Sequence, residues 1–482
     1  MKKSLAPTND AHIFALEKPW IPDPALTSVL QVIESEGGQG ILVGGCVRDH
    51  LLGLKPKDID IEVYGLSPQE LEDVLKKHFQ VMPVGKSFGV FKVLVSIFQE
   101  SQVFDVALPR QDSKSGEGHR GFVISHDPNM TFSEAASRRD FTINAMGIDI
   151  KTQVLLDAHG GYADLQNNLL KHVSEAFIED PLRVLRAAQF CARFGFVLDP
   201  TTVKLCRMLK NELSTLSRER IYEEMKKLFL ARQPSLGLLV LRESESLILF
   251  PELEALIGCE QEAQWHPEGD VWIHTLMVVD QAAWLIKDLE EEEKLIIMAG
   301  ALCHDLGKPS TTAYINGRIK SIGHDVEGVA PTINLLSRMG FAPKYFEEIA
   351  ALVREHLKPY QLYAKRDEVS DGAIRRLAER VNIRYLLKVS QADFFGRTTP
   401  EALSLVDPSA RWLEERIKNL LGSELKTKAL LLGRHLISLG QKPGIGFKKI
   451  LDAAFEAQLD GIFCTEEEAI VWVKEYIKKE DL

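Results

Sequence analysis

The sequence predicts an α+β protein: a head of mixed sheet with helices, then helical segments to the end of the chain. Two observations carry this. Short, apolar, β-branched runs separated by turn residues fill about the first third. From about residue 166 onward, apolar residues recur at i, i+3 and i+4 instead. A chain of 482 residues is too long for one ordinary core. The pattern divides it into an N-terminal extension (1–37), a head (38–165), a helical neck (166–258), a second helical domain (259–400) and a helical tail (401–482).

Within the head, strands are expected at 40–43, 58–63, 80–84, 90–95, 103–107 and 142–150, with helices over 47–52 and 68–78. Helical periodicity marks 181–194, 221–231 and 291–302, and breaks fall near 195–200, 258–267, 310–323 and 397–408. Hydrophobic residues make up 45% and charged residues 26%, as in soluble globular proteins. No run of eighteen apolar residues is present, so no membrane span is expected, and the first residues lack the apolar stretch of a signal peptide. The six cysteines are scattered without a CxxC pair, which predicts reduced thiols in the cytoplasm. The net charge of −11 argues against nucleic-acid binding when taken globally. Yet residues 181–240 hold eleven Lys/Arg against five Asp/Glu, so a basic stripe on an acidic protein is compatible with the sequence.

The densest chemistry is LVGGCVRD at 42–49, followed by KDIDIE at 57–62. Side chains alternate along a strand, so Asp58 and Asp60 share a face. Two such carboxylates suit a two-metal phosphoryl transfer, with ions roughly 3.5–4 Å apart. Asp105, on a later strand, is a candidate third carboxylate. Gly44 and Gly45 fall between a strand and a helix, where backbone N–H groups can approach a triphosphate, and Arg48 and Asp49 follow on that helix. Taken singly, the glycine pair is a turn and Asp-x-Asp a half-exposed strand. Their order and spacing make the pair specific.

GG-x-VRD followed by DID resembles the class II tRNA nucleotidyltransferase and bacterial poly(A) polymerase family, within the polymerase-beta-like superfamily. The resemblance implies a nucleotidyltransferase head that holds Mg²⁺ on Asp58 and Asp60. SRRDFTINA at 137–145 is similar to another motif of the family. It implies that Arg138 and Arg139 clamp phosphates, while Asp140 and Asn144 contact ribose or brace the site. DAHGGYAD at 157–164 resembles the family's hinge. EDPLR at 179–183 opens a helix, with Pro181 in its first turn. There Asp180 and Arg183 resemble the family's amino-acid template for cytosine and adenine, whose exocyclic amines a carboxylate can accept. Arg186, one turn on, is within reach of base or phosphate. On the residues alone, Asp180 and Arg183 read first as a helix cap and an i,i+3 ion pair, and it is the company of the upstream motifs that favours the template. Arg220 and Glu224 match a motif that supports the template helix together with Glu179, and form an expected i,i+4 charge pair. The polar segment 108–120 resembles the family's flexible loop.

A second constellation follows. His274 sits on a predicted helix, and thirty residues later comes ALCHDLGK at 301–308. Then come Gly323-His-Asp325, Glu355-His356 and Asp393. The series resembles the HD-domain metal phosphohydrolases and implies His274, His304, Asp305 and Asp393 as metal ligands, with Lys308 near a phosphate. Imidazole with carboxylate suits a divalent transition ion (Mn, Ni, Co or Zn) without choosing among them. In the tail, the glycine-containing 433–446 with Lys442, Lys448 and Lys449 reads either as a phosphate contact or as a solvated basic face.

The expected function is template-independent addition of CCA to the 3′ end of tRNA from CTP and ATP, with phosphodiesterase or phosphatase activity in the HD domain. CC-only, A-only or poly(A) addition share the same motifs. A metal-dependent phosphohydrolase with a nucleotide- or RNA-binding head is the alternative from another class.

Overall fold

The computed structural model describes residues 12–83, 90–97, 100–114, 122–127, 130–421 and 426–480. Part of the segment expected as a flexible loop, 115–120, lies outside them. The chain forms two compact units, Met1–Arg220 with Leu236–Leu249, and Ile221–Ser235 with Phe250–Leu482. No helix among the described residues is long and apolar enough to cross a membrane.

The first unit is built on strands β1 (His12–Ala15), β2 (Gln39–Val43), β3 (Ile59–Tyr64), β4 (Gln80–Pro83), β5 (Val90–Ile97), β6 (Glu100–Ala107), β7 (Arg110–Lys114), β8 (Phe122–His126), β9 (Met146–Asp149) and β10 (Val154–Asp157). Eight of them make one sheet in the order β1-β10-β9-β2-β3-β6-β5-β4, while β7 and β8 form a separate hairpin. The sheet is mixed: β3 and β6 run parallel, and its other pairings are antiparallel. Alternation sets its two faces. Ile61, Val63, Phe91, Val93, Phe104 and Val106 are buried, which leaves Asp60, Glu62, Lys92 and Asp105 on the opposite face. Helices Pro24–Ser35 and Pro68–His78 cover the sheet's apolar side with Leu26, Val29, Leu30, Ile33, Leu71 and Leu75. Each begins with a side-chain cap, Asp23 on the Leu26 N–H and Ser67 on the Glu70 N–H, followed by proline.

Two local readings differ. Residues 12–35, grouped with the extension in the sequence, supply the edge strand β1 and a covering helix. The single strand expected at 142–150 is a 3₁₀ turn, Thr142–Asn144, followed by β9. There the Thr142 N–H and hydroxyl leave the ladder for the Lys171 carbonyl and the Asp164 carboxylate, at 2.9 and 2.6 Å.

The second unit is helical around Val271–Leu285, Glu291–Cys303, Phe346–Glu355 and Ile383–Phe395. Its core includes Trp272, Ile297, Leu352 and Val389. Gly300 lets two helices close: a Cβ there would lie 2.9 Å from Leu352 and 3.2 Å from Val389. The break read at 310–323 contains a two-stranded hairpin, Thr312–Ile315 with Arg318–Ser321. Asn316 and Gly317 both take positive φ, 54° and 76°, as a tight hairpin turn requires. The tail packs Gly433–Ser438, Ile445–Leu459 and Glu466–Glu480 around Leu436, Ile450, Phe463 and Val473.

Candidate active sites

In the head, register brings the acids together. Asp60 of β3 lies opposite Val43 on one side and beside Asp105 of β6 on the other. Asp105 in turn faces Lys92, their side chains 3.1 Å apart. Gly44 turns the chain from β2 into helix Gly45–Leu51 with φ 77° and ψ −136°, a conformation that favours glycine. A Cβ there would lie 3.5 Å from both Asp60 Oδ2 and Arg139 Nη1, so the turn sits against the carboxylate. Burial and the charge of Asp105 push the Asp60 carboxyl up to about 6, against the pull of Arg139 and with a further push from Asp58. Asp58 itself is exposed, just before β3. Among the described residues, the clusters of three ligating atoms within 4.8 Å of one another all fall in the second unit, so the head acids are neighbours on one face rather than a closed cage.

Around them runs a buried polar chain. Arg48 donates to Asn144 Oδ1 at 2.6 Å and holds Asp49 through two nitrogens, its guanidinium over the Phe190 and Phe194 rings. Asn144 donates to Asp140 Oδ1 at 3.0 Å, and Arg186 closes on Asp140 Oδ2 at 2.6 Å. Burial alone would raise the Asp140 carboxyl, but Arg186 and Asn144 more than offset it and hold it below its usual value. Arg139 reaches Glu62 at 3.4 Å and the Asn144 carbonyl at 3.0 Å. Arg138 lies 3.9 Å from Glu179.

The EDPLR segment is also internally paired. Asp180 Oδ1 accepts from the Leu182 N–H at 3.0 Å, and Oδ2 meets Arg220 at 2.8 Å. Arg183 donates to the Ala176 and Arg138 carbonyls at 2.7 and 2.8 Å. Glu224 carries an ion pair with Lys227 at 2.7 Å.

In the second unit the four expected ligands converge. His274 Nε2 is 3.1 Å from Asp393 and 4.0 Å from Asp305, and His304 Nε2 is 3.1 Å from Asp305. The structure adds His324 and His356. His274, His304 and Asp393 form one cluster of ligating atoms, and Asp305, His324 and His356 form another. His304, His324 and His356 each point Nδ1 at a backbone carbonyl, of Ala301, Ser321 and Val353, which frees Nε2 toward the acids. His274 turns Nδ1 to Glu268 at 2.9 Å. Sequence singled out His324 and His356 but not their convergence: His324 opens one short helix and His356 follows another, and no periodic spacing joins them to His304. The buried His304 turns its Nε2 to the Asp305 carboxylate. Burial and the neighbouring imidazoles push His356 down to about 4, which keeps it neutral, as a ligand must be. Lys308 lies 2.7 Å from Asp305, and Arg397 2.9 Å from Asp393.

Family models match the poly A polymerase head domain over residues 41–171, a probable RNA and SrmB-binding site of polymerase A over 195–257, and the HD domain over 271–397. A "Multifunctional CCA protein" of Actinobacillus pleuropneumoniae is 42% identical over 65% of this chain and 74% of the relative. One of Pasteurella multocida is 35% identical over 83% of this chain and 96% of the relative. Among solved structures, the Bacillus stearothermophilus CCA-adding enzyme in complex with CTP aligns with a TM-score of 0.65 at 21% identity, covering 95% of this chain and 99% of that one. The Thermotoga maritima CCA-adding enzyme complexed with tRNA aligns at 0.59 and 19%, covering 95% and 96%. At those identities the structures speak for the fold. Fold and site define a nucleotidyltransferase-type head joined to an HD-type helical domain. The chain belongs to the class II tRNA nucleotidyltransferase and bacterial poly(A) polymerase family.

Proposed function

We propose that this chain adds CCA to the 3′ end of tRNA from CTP and ATP. The observation that carries the reading is the placement of Asp60 beside Asp105 and against the Gly44 turn. Asp60 and Asp105 side by side, with the charge of Asp58 felt at Asp60, form an oxygen-rich, negatively charged donor set that fits Mg²⁺. Asp58 and Asp60, with Asp105, would hold the ion, which supplies charge neutralisation at the α-phosphate. The tRNA 3′-oxygen then bonds to the α-phosphorus, its proton passes to solvent, and the bond to the β-phosphate breaks to release pyrophosphate.

Arg139, mostly buried against the Gly44 turn and Asp60, is the nearer of the arginine pair for the triphosphate, and Arg138 supports it. The Gly44–Gly45 turn offers backbone N–H groups. Arg48 and Asn144 are buried and mutually bonded, so they brace the Gly45 turn, and Asp140 fixes Arg186. Asp180 and Arg183 read the base by exchanging their present partners for its edge, with Arg220 supporting that helix through Asp180.

The HD region is the second reading. Four imidazoles and two carboxylates, with His304 Nε2 turned to Asp305 and His274 Nε2 to Asp393, fit a divalent transition ion on His274, His304, Asp305 and Asp393. His324 and His356 give further donors across Asp305. Such an ion supplies a water acidic enough to attack a phosphoester. The six free cysteines fit a reducing cytoplasm.

Extension of tRNA lacking its last three nucleotides, with each triphosphate alone and together, tests the principal reading. CTP alone should add two residues, and ATP one more only after them. A long tail from ATP alone would convert the reading to poly(A) synthesis. Absence of any incorporation would remove it.

A further inference from the structure

On β3 the side chains of Asp60, Glu62 and Tyr64 alternate onto one face. Glu62 is committed away from the metal-holding acids. Its Oε2 accepts from the Tyr64 hydroxyl at 2.5 Å, and its Oε1 faces Arg139 Nη2 at 3.4 Å. Glu62 and Arg139 are both largely buried. The Tyr64 ring is fixed in the core with Phe132 and Ala136, which belong to the helix just before Arg139. The other arm of the guanidinium, Nη1, donates to the Asn144 carbonyl at 3.0 Å. It also lies 3.5 Å from where a Gly44 Cβ would stand, the same distance as Asp60 Oδ2. Asp60 and Glu62 lie two residues, about 7 Å, apart along the strand, and Arg139 spans that gap.

We propose that Glu62 is a positioning residue for nucleotide addition: anchored by Tyr64, it holds the Arg139 guanidinium beside the Gly44 turn and Asp60, ready for the triphosphate of either nucleotide. It rests on the nucleotide-addition reading above. An arginine loses rotamer freedom when it binds, so a guanidinium already held in place binds phosphate at a lower entropic cost. Asp60 also attracts Arg139. That pull is lost once a divalent cation neutralises Asp60, and Glu62 is the neighbouring acid that still keeps the guanidinium there. A guanidinium carries five N–H donors, more than Glu62 and the Asn144 carbonyl together take, so an anchored Arg139 can still meet phosphate oxygens. CTP and ATP share the triphosphate, so Glu62 sets the affinity for both without choosing a base.

Glu62→Gln removes the charge and keeps the shape, and Tyr64→Phe keeps the core ring and removes the anchoring donor. Full-length wild type and both variants are compared for CTP incorporation into tRNA lacking CCA and for ATP incorporation into tRNA lacking only the terminal A. KM is measured for each nucleotide and for tRNA. Glu62→Gln should raise KM for CTP and for ATP about tenfold each, the scale of a lost charged hydrogen bond, with KM for tRNA unchanged. Tyr64→Phe should raise both nucleotide KM values by a smaller factor. A merely structural Glu62 would lower kcat as folded protein is lost, at unchanged nucleotide KM, and that result overturns the inference. A rise confined to one nucleotide overturns it too, as does a raised Mg²⁺ requirement at saturating CTP, which would make Glu62 a metal ligand. If Glu62→Gln does not fold, Tyr64→Phe decides: a joint rise in both nucleotide KM values supports the inference, and unchanged values overturn it. If wild type incorporates neither nucleotide, the nucleotide-addition reading fails, and equilibrium binding of ATP with Mg²⁺, set against adenosine, decides. About tenfold weaker ATP binding in Glu62→Gln with adenosine binding unaffected supports the positioning role, whereas equal affinity, or no ATP binding by wild type, overturns it.

Discussion

Asp140 and Arg186 stand 46 residues apart in the chain and meet at 2.6 Å, tying the SRRDFTINA segment to the helix that carries Arg183. Asp140 is buried, and its carboxyl is held below its usual value. A depressed carboxylate stabilises the fold above its unfolded pKa and loses that contribution as pH falls through its folded value. Asp140→Asn should therefore cost about 2 kcal/mol at pH 7. The gap from wild type should close as pH drops below about 4. Urea midpoints at both pH values check this. A gap that stays constant would mean the ion pair contributes little.

Arg48 has its guanidinium fork between Asp49 and Asn144 and two aromatic rings beneath it. A lysine can satisfy neither the fork nor the stacking. Arg48→Lys is expected to destabilise by about 1–3 kcal/mol and to raise KM for CTP, because the floor under Gly45 loosens. Equal urea midpoints would place Arg48 outside the bracing network.

Arg220 holds Asp180 from a partly exposed position, so little stability is at stake. Arg220→Ala should leave the melting temperature nearly unchanged and raise incorporation of UTP and GTP relative to CTP and ATP. Unaltered nucleotide selectivity would remove Asp180 from base reading.

Gly307 follows His304 and Asp305 by only a few residues. A Cβ at this position would lie 2.1 Å from the His324 carbonyl and 2.6 Å from the Gly328 N–H. Backbone must move to admit it, and His324 moves with that backbone. Gly307→Ala should cost about 1–3 kcal/mol and lower the metal retained after dialysis, with CCA addition preserved. Full metal retention would contradict the packing seen here.

Much of the head was legible because strand alternation is a short-range rule. Asp60 and Glu62 share a face of β3 by spacing alone, and the start of helix Pro68–His78 follows from Ser67 and Pro68. That Asp105 lies directly beside Asp60 depends on β6 running parallel to β3, a long-range pairing no local pattern states. The Thr142–Asn144 turn was read as strand because its partners, Lys171 and Asp164, are distant in sequence. Arg48 and Arg186 look like phosphate ligands as residue types, and only the fold shows Arg48 buried and Arg186 committed to Asp140. His324 and His356 carry the right chemistry, but their convergence on Asp305 is tertiary.

The central claim is that Asp60 holds the ion that drives nucleotide addition. Its most direct test is incorporation of radiolabelled CTP into tRNA lacking CCA by the Asp60→Ala protein, with 4-nitrophenyl phosphate hydrolysis as the internal control for the HD centre. The account predicts a loss of at least about 10³-fold in incorporation with hydrolysis retained. Incorporation near the wild-type rate would contradict it.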